Sequence, residues 1–276
     1  MLARFSRLSP RRLVRSVGDP LFSAPTLVRF VLNPAVGREY GVGPLQKLRL
    51  VLRFARNMRR VETLSLLAEH VELADALLRL PRDLEGDVVE AGCYVGGSSV
   101  NLSIACALVG RRLLIYDSFE GLPEPAEYDR VHVNLENDWE DEYYAGRFAA
   151  GVETVRANIE RCGAPEVCEY VKGFFDRTMP LLDRKVAMAF LDVDFIDSLR
   201  PCIVGIWPHL QDRCRVYVHE ARSLVLVSTF FAQDWWREHV GEDAPGFVGA
   251  GTGLPLMAVR GSELGYAQKG VRAVVV

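Results

Sequence analysis

The chain has 276 residues, 49% hydrophobic and 25% charged, which is ordinary for a globular protein and enough for one large α/β domain with a sizeable core. No run of about 18 apolar residues occurs, so no transmembrane helix is expected. The net charge of −3 divides into +11 over residues 1–60 and −14 over the remainder. A basic start of this kind suits an anionic membrane surface, an acidic partner or nucleic acid, and it also suits simple packing on the acidic body, which is the reading adopted.

Residues 1–45 are punctuated by Pro10, Pro20, Pro25, Pro34, Gly37, Gly41, Gly43 and Pro44, and short helices and loops are expected there. Arg11-Arg12 resembles a twin-arginine signal, but Arg15, Asp19 and Arg29 interrupt the apolar core that such a signal needs, so export is not expected. A basic amphipathic helix is predicted over residues 45–57, with Leu48, Val51, Leu52 and Ala55 on one face. A second helix is predicted over residues 61–80, with Leu64, Leu67, Val71, Ala74 and Leu78 inward and Pro81 ending it.

The most informative stretch is VVEAGCYVGGSSVNLSIACALVGRRLLIYDSFEGLP, Val88 to Pro123. A strand over 88–91 leads into a turn bearing Gly92, Gly96 and Gly97. A helix then opens at Ser98 or Ser99 and closes at Gly110, and a second strand over 113–116 ends on Asp117. This strand–turn–helix–strand unit begins a nucleotide-binding sheet. Asp117 lies 20 residues beyond Gly97, where a ribose-binding carboxylate is expected. The glycine pattern is G-x-x-x-G-G rather than G-x-G-x-x-G, which suits a nucleoside without a pyrophosphate. S-adenosylmethionine (SAM) is such a ligand, and its cationic end would sit near Glu90. From the glycines alone, an ordinary tight turn without a ligand explains the pattern equally well.

Residues 123–146 are acidic and aromatic, as in a lid or binding loop or, more plainly, a solvated surface loop. A helix is predicted over 151–162 and a third strand over 167–171. Phe174, Phe175 and Asp176 follow it at the sheet edge, where a ring and a carboxylate suit adenine. The fully apolar strand 186–191 suits the centre of a parallel sheet and delivers Asp192 and Asp194 at its carboxyl end. Two carboxylates there call for a cation or a proton to move. A helix is expected from about Ser198 to Leu210, a fifth strand over 215–218 ending in His219 and Glu220, and a helix over 224–239. Residues 255–260 and 272–276 are expected to form the antiparallel strand pair that closes the sheet. The six cysteines form no C-x-x-C pair and no zinc spacing, so free buried thiols and a reducing cytoplasm are expected.

VVEAGCYVGGSS, DSFEGLPEP, VKGFFDRTMP and FLDVDFIDS together resemble the macrocin O-methyltransferase family (TylF, MycF and NovP type), over roughly Glu62 to Glu220. The resemblance implies a Rossmann-like class I methyltransferase sheet flanked by helices. The domain would cover residues 61–276, behind a basic helical extension over residues 1–60. It implies SAM-dependent methylation of a hydroxyl on a sugar or glycosylated small molecule in natural-product biosynthesis, with a divalent metal (Mg²⁺ or Mn²⁺), no nucleic-acid partner and a homo-oligomer. Glu90, Gly92, Gly96, Ser98, Asp117, Ser118, Phe119, Phe174, Asp176 and Asp192 are then the candidate donor-binding residues, Asp194 the candidate base and Thr63 a candidate acceptor contact. Relatives carry two aspartates and a tyrosine after the fifth strand, whereas this chain reads QDRCRVYVHEA. With Asp192, His219 and Glu220 as its ligands, the metal site is either retained with altered selectivity or lost. A metal-independent methyltransferase, and a SAM-binding protein acting through its basic N-terminus as a partner-binding module, are the competing readings.

Overall fold

The computed structural model describes residues 22–127, 129, 143–257 and 261–271. One sheet has the strand order β3-β2-β1-β4-β5-β6. Its strands are β1 Asp87–Ala91, β2 Leu113–Asp117, β3 Cys168–Lys172, β4 Val186–Leu191, β5 Leu210–Val218 and β6 Gly265–Gln268. The first five run parallel, and β6 pairs antiparallel with β5. Strand order reverses between β1 and β4. Connections leave in opposite directions there, and a crevice opens at the carboxyl ends.

Alternation along the strands builds a core on each face of the sheet. Val88, Met188 and Phe190 point to one side, where they meet α1 (residues 22–32), α2 (Pro44–Asn57), α3 (Leu67–Arg79), α4 (Gly97–Val109) and α5 (Val152–Cys162). Val89, Ala91, Ala189 and Leu191 point to the other, against α6 (Ile196–Ile206) and the aromatic residues Trp207, Phe230 and Trp236. Every β4 side chain is buried, as its apolar sequence requires. The cysteines are free and, apart from the half-buried Cys168, buried.

The structure moves several sequence expectations. On α2 the inner face is Leu50, Val51 and Phe54, while Leu48 and Leu52 are exposed, because Phe54 rather than Leu52 seats in the core with α3 and α4. The second helix begins at Leu67, not near residue 61, and Leu64 is exposed. Glu69 is the reason: its side chain accepts the Leu66 N–H at 2.6 Å and closes a capping box that starts the helix there. The helix expected to run to Leu210 ends at Ile206, and β5 already begins at Leu210. Residues 224–239 form two short helices broken at Ala232, where Thr229 gives its carbonyl to Trp236 Nε1 instead of continuing a helical ladder. The closing strand is 265–268, inside the stretch expected to be a turn. Of the strand pair expected over 255–260 and 272–276, residues 258–260 and 272–276 lie outside the described residues, as do the middle of the acidic loop and residues 1–21.

Close approach of β1 and β4 sets the floor of the crevice. Gly92 has φ +82°, and a Cβ there would fall 1.9 Å from the Asp192 carbonyl oxygen. Gly92→Ala therefore combines a left-handed backbone with a backbone clash. The expected outcome is a loss of at least ~2 kcal/mol of stability in urea unfolding, at the upper end for point substitutions.

Candidate active site

The crevice deepens into a cavity of about 500 Å³ at the carboxyl ends of β1, β2 and β4. Gly92, Cys93, Tyr94, Gly97 and Ser98 line it from the β1–α4 turn, Asp117 and Ser118 from the end of β2, and Asp192 to Phe195 from the end of β4. Residues 62–64, 121–124 and 174–177, with Asp129, Phe148, Asp197 and Ser198, complete the walls. Phe174 and Asp176, expected beside the adenine, share this cavity with Gly92, Ser98, Asp117, Ser118 and Asp192, and so does Thr63, the expected acceptor contact.

Asp117 is fixed by its neighbours. The Cys93 N–H donates to Oδ2 at 2.7 Å and the Phe119 N–H donates to Oδ1 at 2.7 Å. A carboxylate pinned this way keeps lone pairs free for a diol at the cavity wall. Ser118 also lines the cavity, but its hydroxyl donates to the Gly121 carbonyl at 2.8 Å and so orders the loop. Phe119 is buried behind Asp117, with φ +54°. Gly96 does not line the cavity. It caps α4 at φ +84°, and its missing Cβ makes room for Val155.

Glu90 lies beneath this turn with no solvent exposure. Neither of its oxygens has a hydrogen-bond partner, although the Ser98 and Ser99 hydroxyls are near enough to favour the anion. Burial dominates and pushes its carboxyl up to about 7. Unlike the other expected donor-binding residues at this turn that line the cavity, Glu90 has no surface on it, so it can act on a cationic ligand only through its field.

At the end of β4 and β5 lies an acidic cluster around one imidazole. His219 Nδ1 is 3.5 Å from Asp192 Oδ1 and 3.9 Å from Glu220 Oε1, while Nε2 is 3.3 Å from Glu69 Oε2. Burial disfavours the imidazolium, but Asp192 and Glu69 outweigh it and hold His219 well above its ordinary value. Burial likewise opposes ionisation of Asp192, yet His219 holds that carboxyl below its usual range. Asp192 keeps 28% side-chain exposure because it opens on the cavity, so its desolvation is incomplete. Burial and then Asp192 raise Glu220 well above a normal carboxyl, and its Oε2 has no partner. Asp194, at φ +60°, is pushed up to about 7 by burial and then by Asp192. One ligand atom from each of Asp192, His219 and Glu220 can be chosen so that all lie within 4.8 Å of one another.

Sequence reading did not find the α3 contribution. Glu69 and His70 are both buried, and burial takes His70 down to about 4, so it stays neutral. Its Nε2 lies 3.5 Å from Thr63 Oγ1, which also accepts the Ser65 N–H. His70 lies beside the apolar stripe of α3 and Glu69 on the opposite side, which is buried as well, so periodicity left Glu69 unmarked. Nor did sequence reading find the aromatic wall in which Phe148 stands 5.5 Å from Tyr94 and 6.3 Å from Tyr143, with Phe195 6.2 Å beyond.

Glu90 gives a signed pH test. Between its unfolded value of 4.5 and its folded value of about 7, the native state holds a proton that the unfolded state releases, so stability is lost as pH rises through that window. Glu90→Gln removes the titration. Urea unfolding is expected to show the variant gaining roughly 2–3 kcal/mol relative to wild type between pH 5 and pH 8.

A family model described as macrocin-O-methyltransferase (TylF) matches residues 59–239. A protein of Streptomyces olivaceus named 8-demethyl-8-(2,3-dimethoxy-alpha-L-rhamnosyl)-tetracenomycin-C 4'-O-methyltransferase is 29% identical over 183 residues. That match covers 60% of this chain and 66% of the relative, just short of two thirds of the relative's length. Among solved structures, the O-methyltransferase NovP superposes with a TM-score of 0.57 at 19% identity, covering 74% of this chain and 80% of that one. The calicheamicin methyltransferase CalS11 superposes with a TM-score of 0.50 at 18% identity, covering 82% and 93%. At these identities the two structures share the fold.

Proposed function

The chain belongs to the macrocin-O-methyltransferase (TylF) family, and from that premise we propose that it transfers the methyl group of SAM to a sugar hydroxyl of a glycosylated small molecule. The observation that carries this reading is the shared cavity. Asp117, with both oxygens pinned by backbone N–H groups, faces the same space as the acid pair at the end of β4. The ribose is assigned to Asp117, the adenine to Phe174 and Asp176, and the cationic end to the region above Glu90. The name of the S. olivaceus relative supports a sugar-bearing acceptor of natural-product type.

Charge narrows the acceptor further. The described residues lining the cavity include eight acids and one base, Arg177. A field of that sign favours a cationic donor and disfavours phosphate, so a neutral glycoside is favoured over a nucleotide-activated sugar. The aromatic wall at Tyr94 and Phe148 offers a flat face to a ring-bearing aglycone.

Methyl transfer requires the acceptor oxygen in line with the methyl–sulfur bond. The oxygen attacks the methyl carbon, the carbon–sulfur bond breaks with its electrons going to sulfur, and the hydroxyl proton goes to Asp194. A carboxyl lifted to about 7 is a stronger base than an ordinary one and suits this role. Holding both reactants in one cavity supplies a large share of the rate.

Asp192, His219 and Glu220 fit a divalent cation: their ligand atoms converge, and Glu220 Oε2 is buried without a partner. A cation held there would lower the pKa of the acceptor hydroxyl. The metal-independent reading has its own support, because without a metal Asp192 and Glu69 favour the imidazolium form of His219, which would put positive charge at this edge.

Mass spectrometry of neutral aryl glycosides incubated with SAM tests the activity, and no methylated product across such a panel would sink the reading. Loss of turnover on chelation, restored by a divalent ion, is expected. Full turnover after exhaustive chelation leaves the imidazolium reading standing. For the donor site, Asp117→Ala is expected to weaken SAM binding at least tenfold in calorimetry, since a charged acceptor contributes about 1.5–3 kcal/mol per hydrogen bond.

A further inference from the structure

We propose that Glu69 is a positioning residue that locks His219 with its Nε2–H bonded and its Nδ1 turned toward Asp192 and Glu220, so that this site takes a transition-metal ion in preference to Mg²⁺. The inference rests on the metal-assisted reading and adds to it a fourth side chain, Glu69, from α3.

Glu69 is held on all sides. Its side chain is 2% exposed. Oε2 accepts the Leu66 N–H at 2.6 Å and Oε1 accepts the Glu263 N–H at 2.8 Å. Those bonds fix the plane of the carboxylate before His219 is considered. The third neighbour, His219 Nε2, lies 3.3 Å from Oε2. A carboxylate that already accepts two backbone N–H groups faces His219 as an acceptor, so Nε2 carries the hydrogen. Phe190 meets the imidazole edge-on, with ring centroids 6.4 Å apart, which limits rotation about the last side-chain bond.

The consequence falls on the other ring nitrogen. Nδ1 stands 3.5 Å from Asp192 Oδ1 and 3.9 Å from Glu220 Oε1, at the edge of hydrogen-bond range or beyond it. Such spacing leaves a gap bounded by one nitrogen and two carboxylates. A carboxylate behind a ligating imidazole fixes its tautomer and raises its basicity. One nitrogen and two oxygen donors suit Mn²⁺, Fe²⁺, Co²⁺ or Zn²⁺ better than Mg²⁺, which prefers oxygen and retained water.

Glu69→Gln provides the test. Glutamine is accepted at this capping position: with its oxygen in the Oε2 place it keeps the Leu66 bond but removes the charge that raises the basicity of the ring, and with its amide there it would move the ring hydrogen to Nδ1 and close the metal position. Mn²⁺ binding is to be followed by electron paramagnetic resonance and calorimetry in wild type, Glu69→Gln, His219→Ala and the double variant, with thermal melts as the check on folding. Glu69→Gln is expected to weaken Mn²⁺ binding about 10- to 100-fold and to have no further effect when His219 is already alanine. Equal weakening in both backgrounds, or unchanged Mn²⁺ affinity in Glu69→Gln, overturns the role of Glu69 while leaving the metal reading intact. Wild type that binds no divalent ion removes both. Should the variant fail to fold, histidine-selective ¹⁵N spectra of wild type with Cd²⁺ still decide: metal coupling is expected at Nδ1, and coupling at Nε2 overturns the proposal.

Discussion

Four parallel strands ending in step are the constraint from which the cavity follows. Ala91 pairs with Tyr116 on one side and Leu191 on the other, and Leu191 pairs with Val218. The next residue on each strand therefore emerges at one level: Asp117, Gly92, Asp192 and His219. Backbone bonds enforce the register, from Gly92 N–H to Tyr116 O, Asp192 N–H to Ala91 O and His219 N–H to Leu191 O, each at 2.9 Å. A slip of one residue on any of these strands would turn the side chain at its tip to the other face. The site is a property of sheet register first and of individual side chains second.

Holding acids together at that edge costs free energy, and the backbone shows a related strain. Among the described residues five non-glycines have positive φ, and of these Tyr94, Phe119, Phe148 and Asp194 lie in or beside the cavity. The fifth, Arg213, sits in β5 near its register irregularity with β4. Conformations of this kind cost of order 1–3 kcal/mol each and persist where surrounding structure over-determines them. Two buried cores, one on each face of the sheet, supply that surrounding structure.

What the sequence showed was what local pattern encodes. The β1–α4–β2 unit was legible because a short apolar strand, a glycine turn and a C-cap glycine each leave their own mark, and β4 because six apolar residues in a row have few other uses. The start of α3 was not, because periodicity alone runs through Thr63 and Leu64, and only the reach of Glu69 back to Leu66 stops it. The two helices at 224–239 read as one because the break at Ala232 depends on where Trp236 is buried. β5 was read short because Gln211, Asp212 and Arg213 are polar and partly exposed where it starts. Among the site residues, Asp117, Asp192 and Asp194 were legible as acids at strand ends. Glu69 meets His219 across 150 residues of chain, a contact that only the packed structure shows.

The cysteines turn this architecture into a built-in reporter. Cys93 lines the cavity and gives its N–H to Asp117, whereas Cys106 and Cys202 are enclosed in the cores on opposite faces of the sheet. Burial raises all three thiols well above their ordinary value, so none is an ready nucleophile while the fold is closed. Alkylation then measures opening rather than intrinsic reactivity. Modification at Cys93 times the loosening of the donor wall, and modification at Cys106 and Cys202 times the parting of the helices from each side of the sheet.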